Sequence, residues 1–198
     1  MGTELARWTR DILEKDFFTK AICLTQAQWR REGNLEVLLQ TMLLLDNRSE
    51  NYEYKAISNT EVLKYCSHIR GRFSPEKRVV IEELFDYLSG AFSDKCKFLK
   101  KSAVPMVAVI GKLALENSIT PEKYHGFIDS FANTVNEEYE ANKGNGNVKR
   151  AKTGGRLLAM ADDFGQYFNI SNLVVIGGSA ESEDANEAED KNVYHLCR

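Results

Sequence analysis

Two segments of this chain are apolar on nearly every side, and each demands an enclosed place in whatever fold forms. Residues 35–45 carry Leu35, Val37, Leu38, Leu39, Met42, Leu43, Leu44 and Leu45. At 3.6 residues per turn these leave little polar face, so a helix here is central rather than superficial. Residues 104–115 are the second, with Val107, Ile110 and Leu113 at helical spacing. Their β-branched run also suits a strand, but the Ala, Lys and Glu in and beyond it favour helix.

The covering elements announce themselves through start signals. The three prolines stand at 75, 105 and 121, each where a helix can begin. In residues 3–18, Leu5, Trp8, Ile12 and Leu13 share one helical face, with Thr3 as a candidate N-cap. Asn34 is the cap expected for the segment that follows it. Residues 47–57 are polar and turn-rich, so a loop. Ser58 and Glu61 have the spacing of a capping box, and the helix they open turns Val62, Leu63, Cys66 and Ile69 inward. Ser74-Pro75 opens a helix presenting Val80, Leu84, Tyr87 and Leu88. Thr120-Pro121 opens another, in which Phe127, Phe131, Val135 and Tyr139 recur every four residues as one core-facing stripe. A short helix is expected over residues 156–168, and residues 173–176 read as a possible lone strand. The expectation is an all-α fold: a single domain of about seven helices over residues 1–178, followed by a disordered acidic tail, 179–198.

Composition bounds the function classes. Of 198 residues 43% are hydrophobic, enough for one buried core. No apolar run approaches the roughly 20 residues that span a bilayer, and the N-terminus lacks the basic-then-apolar order of a signal peptide. The four cysteines, Cys23, Cys66, Cys96 and Cys197, are scattered with no CxxC pattern, which reads as reduced thiols in the cytoplasm. A net charge of −3 makes no global case for nucleic acid. That total hides an asymmetry, because residues 181–198 hold six acids and two bases and the remainder is close to neutral.

No GxSxG, Walker A or GxGxxG pattern occurs. His68, His125 and His195 lack partners at a ligand spacing, and Asp162 and Asp163 diverge by about 100° on a helix. The sequence therefore assigns no catalytic residue, no metal ligand and no cofactor. What remains are two basic clusters. Lys149, Arg150, Lys152 and Arg156 surround Thr153-Gly154-Gly155, after the turn-forming Gly-Asn-Gly-Asn of residues 144–147. A glycine-rich loop opening a helix offers free backbone N–H groups to phosphate, and none of the four bases is expected to face the core. Lys97, Lys100 and Lys101 form the second cluster, interleaved with Phe98 and close to Phe92, a combination that suits phosphate contact and base stacking. Solvated connectors would read the same way, and both readings stay open.

Residues 29–45, the helix at 58–69, the Glu82-Glu83-Leu84-Phe85 helix, Phe98-Leu99-Lys100-Lys101 and residues 149–156 follow one another in an order that resembles a known region. It is the helical part that follows the nuclease domain in GmrSD-type restriction proteins (domain of unknown function 262), and the likeness covers about residues 10–168. The chemistry of that family sits in an N-terminal domain with an Asp-Gly-Gln-Arg-like motif, which this sequence lacks, so no catalytic residue carries over. The resemblance implies a stand-alone or truncated helical module in the conflict between phages and bacterial defence. The leading expectation is a non-catalytic module that binds protein or nucleic acid, in restriction or anti-restriction. The alternative is a metal-dependent nuclease or hydrolase built from scattered carboxylates such as Glu82, Asp162 and Asp163.

Overall fold

The computed structural model describes residues 3–177. Its elements, in chain order, are α1 (Thr3–Leu13), a π-turn (Phe17–Ala21), α2 (Gln26–Arg30), α3 (Gly33–Arg48), α4 (Asn59–Ile69), α5 (Pro75–Ala91), α6 (Val104–Glu116), α7 (Pro121–Asn133), α8 (Glu137–Ala141) and α9 (Arg150–Phe168). The fold is all-α. Two isolated bridges, Cys23 with Lys100 and Ala56 with Lys149, are the β-type pairings among the described residues. The segment expected to be an acidic tail, 179–198, lies outside them.

Helix α6 is the centre. Every residue from Val104 to Ile110 is buried, and α3, α5, α7 and α9 pack around it. Such a helix has no face left for water, which is why its sequence reads as unbroken apolar character. α3 is its closest neighbour and buries every residue from Val37 to Leu44. At Gly111 the chain comes so close to α5 that a Cβ would lie 2.8 Å from Leu88 Cδ2.

The helix count exceeds the expected seven because three short elements interrupt expected continuity. The first segment stops at Leu13 and resumes as the π-turn, closed by Ile22 N–H donating to Phe17 O at 3.2 Å. That turn buries Phe17 and Phe18 against Phe85, with ring centroids 5.7 and 4.8 Å away. α2 opens with a full capping box between Thr25 and Gln28. The aromatic stripe is broken rather than continuous. α7 ends at Asn133, Asn136 caps α8 by accepting from Tyr139 N–H, and Val135 between them is 79% exposed. Phe131 and Tyr139 still meet at 5.2 Å, from two helices instead of one.

Caps at Ser58, Ser74 and Thr120 form as expected. The reciprocal half of the Ser58 box does not, since Glu61 pairs with Lys64 at 2.6 Å. Asn34 lies inside α3, which begins one residue earlier, after Glu32 in a left-handed conformation. Residues 173–176 form no strand. They run as a strap across the end of α3, held where Arg48 Nε donates to Val174 O at 2.6 Å and Gly177 N–H donates to Asn47 Oδ1 at 3.3 Å. Among the described residues no helix is long and apolar enough to cross a membrane.

Burial at the α5–α6 contact and exposure at the α7–α8 break give opposite expectations for two truncations. Leu88→Ala should lower unfolding free energy by about 2–5 kcal/mol. Val135→Ala should change it by less than about 0.5 kcal/mol. Urea denaturation measures both, and a large loss at Val135 would restore the continuous stripe.

Candidate anion-binding site

The connection between α5 and α6 carries the Lys97–Lys101 cluster, and it is pinned rather than loose. Cys23 N–H donates to Leu99 O at 2.8 Å and Cys96 N–H to Ala21 O at 3.0 Å. Leu99 is fully buried, and Phe98 rests against Phe131 and Tyr139 at 5.8 and 6.2 Å. With its apolar side chains turned inward, the segment leaves Lys97 and Lys100 exposed. Lys101 is half-buried and pairs with Glu36 at 2.6 Å.

The Lys149–Arg156 cluster differs from its expected form. α9 starts at Arg150, so Gly154 and Gly155 lie within the helix and expose no free N–H groups at its start. They allow close packing instead. A Cβ at Gly154 would sit 3.0 Å from Ile176 Cδ1 of the strap, and one at Gly155 would collide with the Asn142 side chain. Two of the four bases are committed to internal partners. Arg150 donates to Tyr54 O at 3.2 Å and Gly177 O at 3.4 Å and lies over the Tyr54 ring. Arg156 is 1% exposed. Its guanidinium donates to Ser102 O and Asn147 O, both at 2.7 Å, and more weakly to Lys152 O. Contrary to the expectation that none of the four bases faces the core, Arg156 is buried. Arg156 joins the α5–α6 connection and the turn before α9 to α9 itself.

That cross-link sets Arg156 against the Lys97–Lys101 connection. Three adjoining concavities share the Lys97–Lys101 region. An inner one of about 420 Å³ is lined by Gln28, Glu36, Gln40, Lys100, Lys101 and Arg156, among others. A second, of about 320 Å³, holds Lys97, Phe98, Lys100, Tyr139 and Lys143. A third, of about 420 Å³, holds Lys97, Lys100 and Lys101 beside Thr25 and Gln28. Lys152 adjoins this face, its Nζ donating to Lys143 O at 3.4 Å. Lys149 and Arg150 line none of the three. Lys143, the first base of the stretch that runs on to Arg156 in the sequence, joins the site because α8 packs onto α9.

The inner pocket is electrostatically unbalanced. Its charged lining is Lys100, Lys101 and Arg156 against Glu36 alone. Burial pulls the Arg156 pKa below its ordinary value, and the Tyr139 and Tyr54 phenols beside it offset part of that fall. Gln40, itself buried, donates to Ile57 O at 2.7 Å and to Glu36 at 3.3 Å, fixing the carboxylate in place. A cavity of about 230 Å³ on another side of α3 makes the contrast clear. There Lys77 pairs with Asp46 at 2.8 Å, and Arg48 grips Glu116 through two hydrogen bonds of 2.5 and 3.0 Å.

The carboxylates considered for catalysis do not gather. Glu82 accepts from Trp8 Nε1 at 2.6 Å, Asp163 accepts from Asn136 at 3.0 Å, and Asp162 is exposed. His125 lies between Ala91 O and Asp129, and His68 lies beside Tyr52 and Arg72. Among the described residues no three His, Cys, Asp or Glu side chains converge as a metal site would need. Cys23, Cys66 and Cys96 are free thiols. Cys197 and His195 lie outside the described residues. The chain matches no protein-family model, no curated protein and no solved structure.

Replacing Arg156 separates its structural role from that of its neighbours. Arg156→Met takes the side-chain donor from Ser102 O, while Asn147 O keeps Thr153 Oγ1 at 3.2 Å, so stability should fall by about 1–3 kcal/mol. Lys152→Ser should stay within about 0.5 kcal/mol of the parent. Thermal and urea unfolding of both variants measures the difference, and equal stabilities would remove Arg156 as the cross-link.

Proposed function

We propose that this chain is a non-catalytic binding module whose face around Lys97, Lys100, Lys101, Lys143 and Lys152 takes a nucleic acid strand. One observation carries the reading. The fold brings Lys97, Lys100 and Lys101 to one set of adjoining pockets with Lys143 and Arg156, which lie more than 40 residues away in sequence. Lys97 and Lys100 are exposed, Lys143 pairs with Glu140 and Lys101 with Glu36; cations that meet phosphates displace the counterions condensed on the strand, which favours binding at low salt. Phe98 and Tyr139 line the second pocket beside the lysines. The resemblance to the helical region of GmrSD-type restriction proteins supports a setting in restriction or anti-restriction, where such a module contacts DNA while catalysis belongs to another domain. In that reading Lys149 and Arg150 border the face and Arg156 shapes it from beneath.

The test is a joint replacement of Lys97, Lys100, Lys143 and Lys152 by Ser. Their ammonium groups carry no buried ion pair among the described residues, so the fold should survive, as circular dichroism can verify. Affinity for a single-stranded oligonucleotide at about 100 mM salt should fall tenfold or more, and the slope of log affinity against log salt should flatten. Unchanged affinity and slope would refute the nucleic-acid reading. Binding to an acidic protein but to no oligonucleotide would replace it with a protein-binding role.

A further inference from the structure

The inner pocket differs from the rest of the basic face in one respect: its deepest cation is buried. Arg156 is 1% exposed and contacts carbonyl oxygens, with no carboxylate pairing among the described residues. A buried charge is costly unless a counter-charge compensates it. Carbonyl dipoles orient the guanidinium without neutralising it, and three carbonyls use three of its five N–H donors. Lys100 and Lys101 line the same pocket, and Glu36, the one carboxylate there, is already engaged by Lys101 at 2.6 Å. Three cations against one carboxylate leave a net of two positive charges.

We propose that this pocket binds a phosphomonoester group, with Lys100 and Lys101 contacting its terminal oxygens and the buried Arg156 adding positive charge from beneath. A phosphomonoester carries a charge of about −1.5 to −2 at neutral pH and presents three strong acceptor oxygens. An internal phosphodiester carries one negative charge and has two bridging oxygens tied into the chain, so it matches the pocket less well. Gln28, Gln40 and Ser102 on the pocket wall supply neutral polar groups beside the charged ones. Resting on the nucleic-acid reading above, the inference makes this pocket the place where a strand end is distinguished from its interior. The same chemistry is offered by a free phosphate or a mononucleotide.

The experiment uses the full chain at about 100 mM salt. Three ten-nucleotide single strands of identical sequence are compared by anisotropy: 5′-phosphorylated, 3′-phosphorylated and unphosphorylated. Inorganic phosphate and a nucleoside 5′-monophosphate serve as competitors. One phosphorylated strand should bind at least fivefold tighter than the unphosphorylated one, and which end wins identifies the polarity. Lys100→Ala, at an exposed position, should reduce that preference below twofold with the fold intact. Glu36→Gln, which removes the opposing charge, should increase it, an effect that a purely structural cavity would not show. Equal binding of all three strands with no competition by phosphate overturns the pocket while leaving the face as a strand-binding surface. Binding of phosphate or mononucleotide but of no strand keeps the pocket and sinks the nucleic-acid reading. Absence of binding by every probe overturns both, and a preference that neither variant alters overturns the assignment of these residues.

Discussion

A helix with no polar face cannot exist alone in water, and the need to enclose α6 organises this molecule. From Val104 to Ile110 every side chain is buried. Hydrophobic burial is the main favourable term in folding, and a helix of this kind gains it only when covered on all sides. α3, α5, α7 and α9 provide that cover. The smaller elements finish the shell: the π-turn drives Phe17 and Phe18 against α5, and the strap at 173–177 closes the gap between α3 and α9.

The same enclosure generates the candidate site. α6 is entered through the connection carrying Lys97, Lys100 and Lys101, and the start of α6 lies beside the first turns of α9. Arg156 reaches from α9 to Ser102 O in that connection and to Asn147 O in the turn before α9. One buried guanidinium thus aligns two separate basic segments and leaves the pocket between them with excess positive charge. In the cavity lined by Asp46 and Glu116, by contrast, cations and carboxylates pair off. The imbalance extends over the three adjoining pockets and is absent from the cavity around Asp46 and Glu116.

Much of the architecture was legible in the amino-acid order because it rests on local rules. Enclosed helices show as apolar on all sides, and the Ser58, Ser74 and Thr120 caps follow from side-chain chemistry within three residues. The errors share a different cause. Phe127, Phe131 and Tyr139 all reach the core, so the four-residue spacing looked continuous although the chain breaks at Val135. Gly154 and Gly155 suggest a loop by composition, yet their missing side chains serve close approach by Asn142 and Ile176 inside a helix. Arg156 looks like its solvated neighbours, since nothing within a few residues reveals that Ser102 will supply its acceptor. The convergence of residues 97–101 with Lys143 and Arg156 is a tertiary fact, invisible to any local window.

The central claim is that two sequence-distant basic segments form one anion-binding surface. Amide chemical-shift mapping of the isotopically labelled chain, titrated with a 5′-phosphorylated oligonucleotide, tests it most directly. Shifts should be confined to residues 97–102, 143–156 and the neighbourhood of Gln28, with both segments responding along a single binding curve. Shifts centred on the cavity around Asp46 and Lys77, or a response from only one of the two segments, would contradict it.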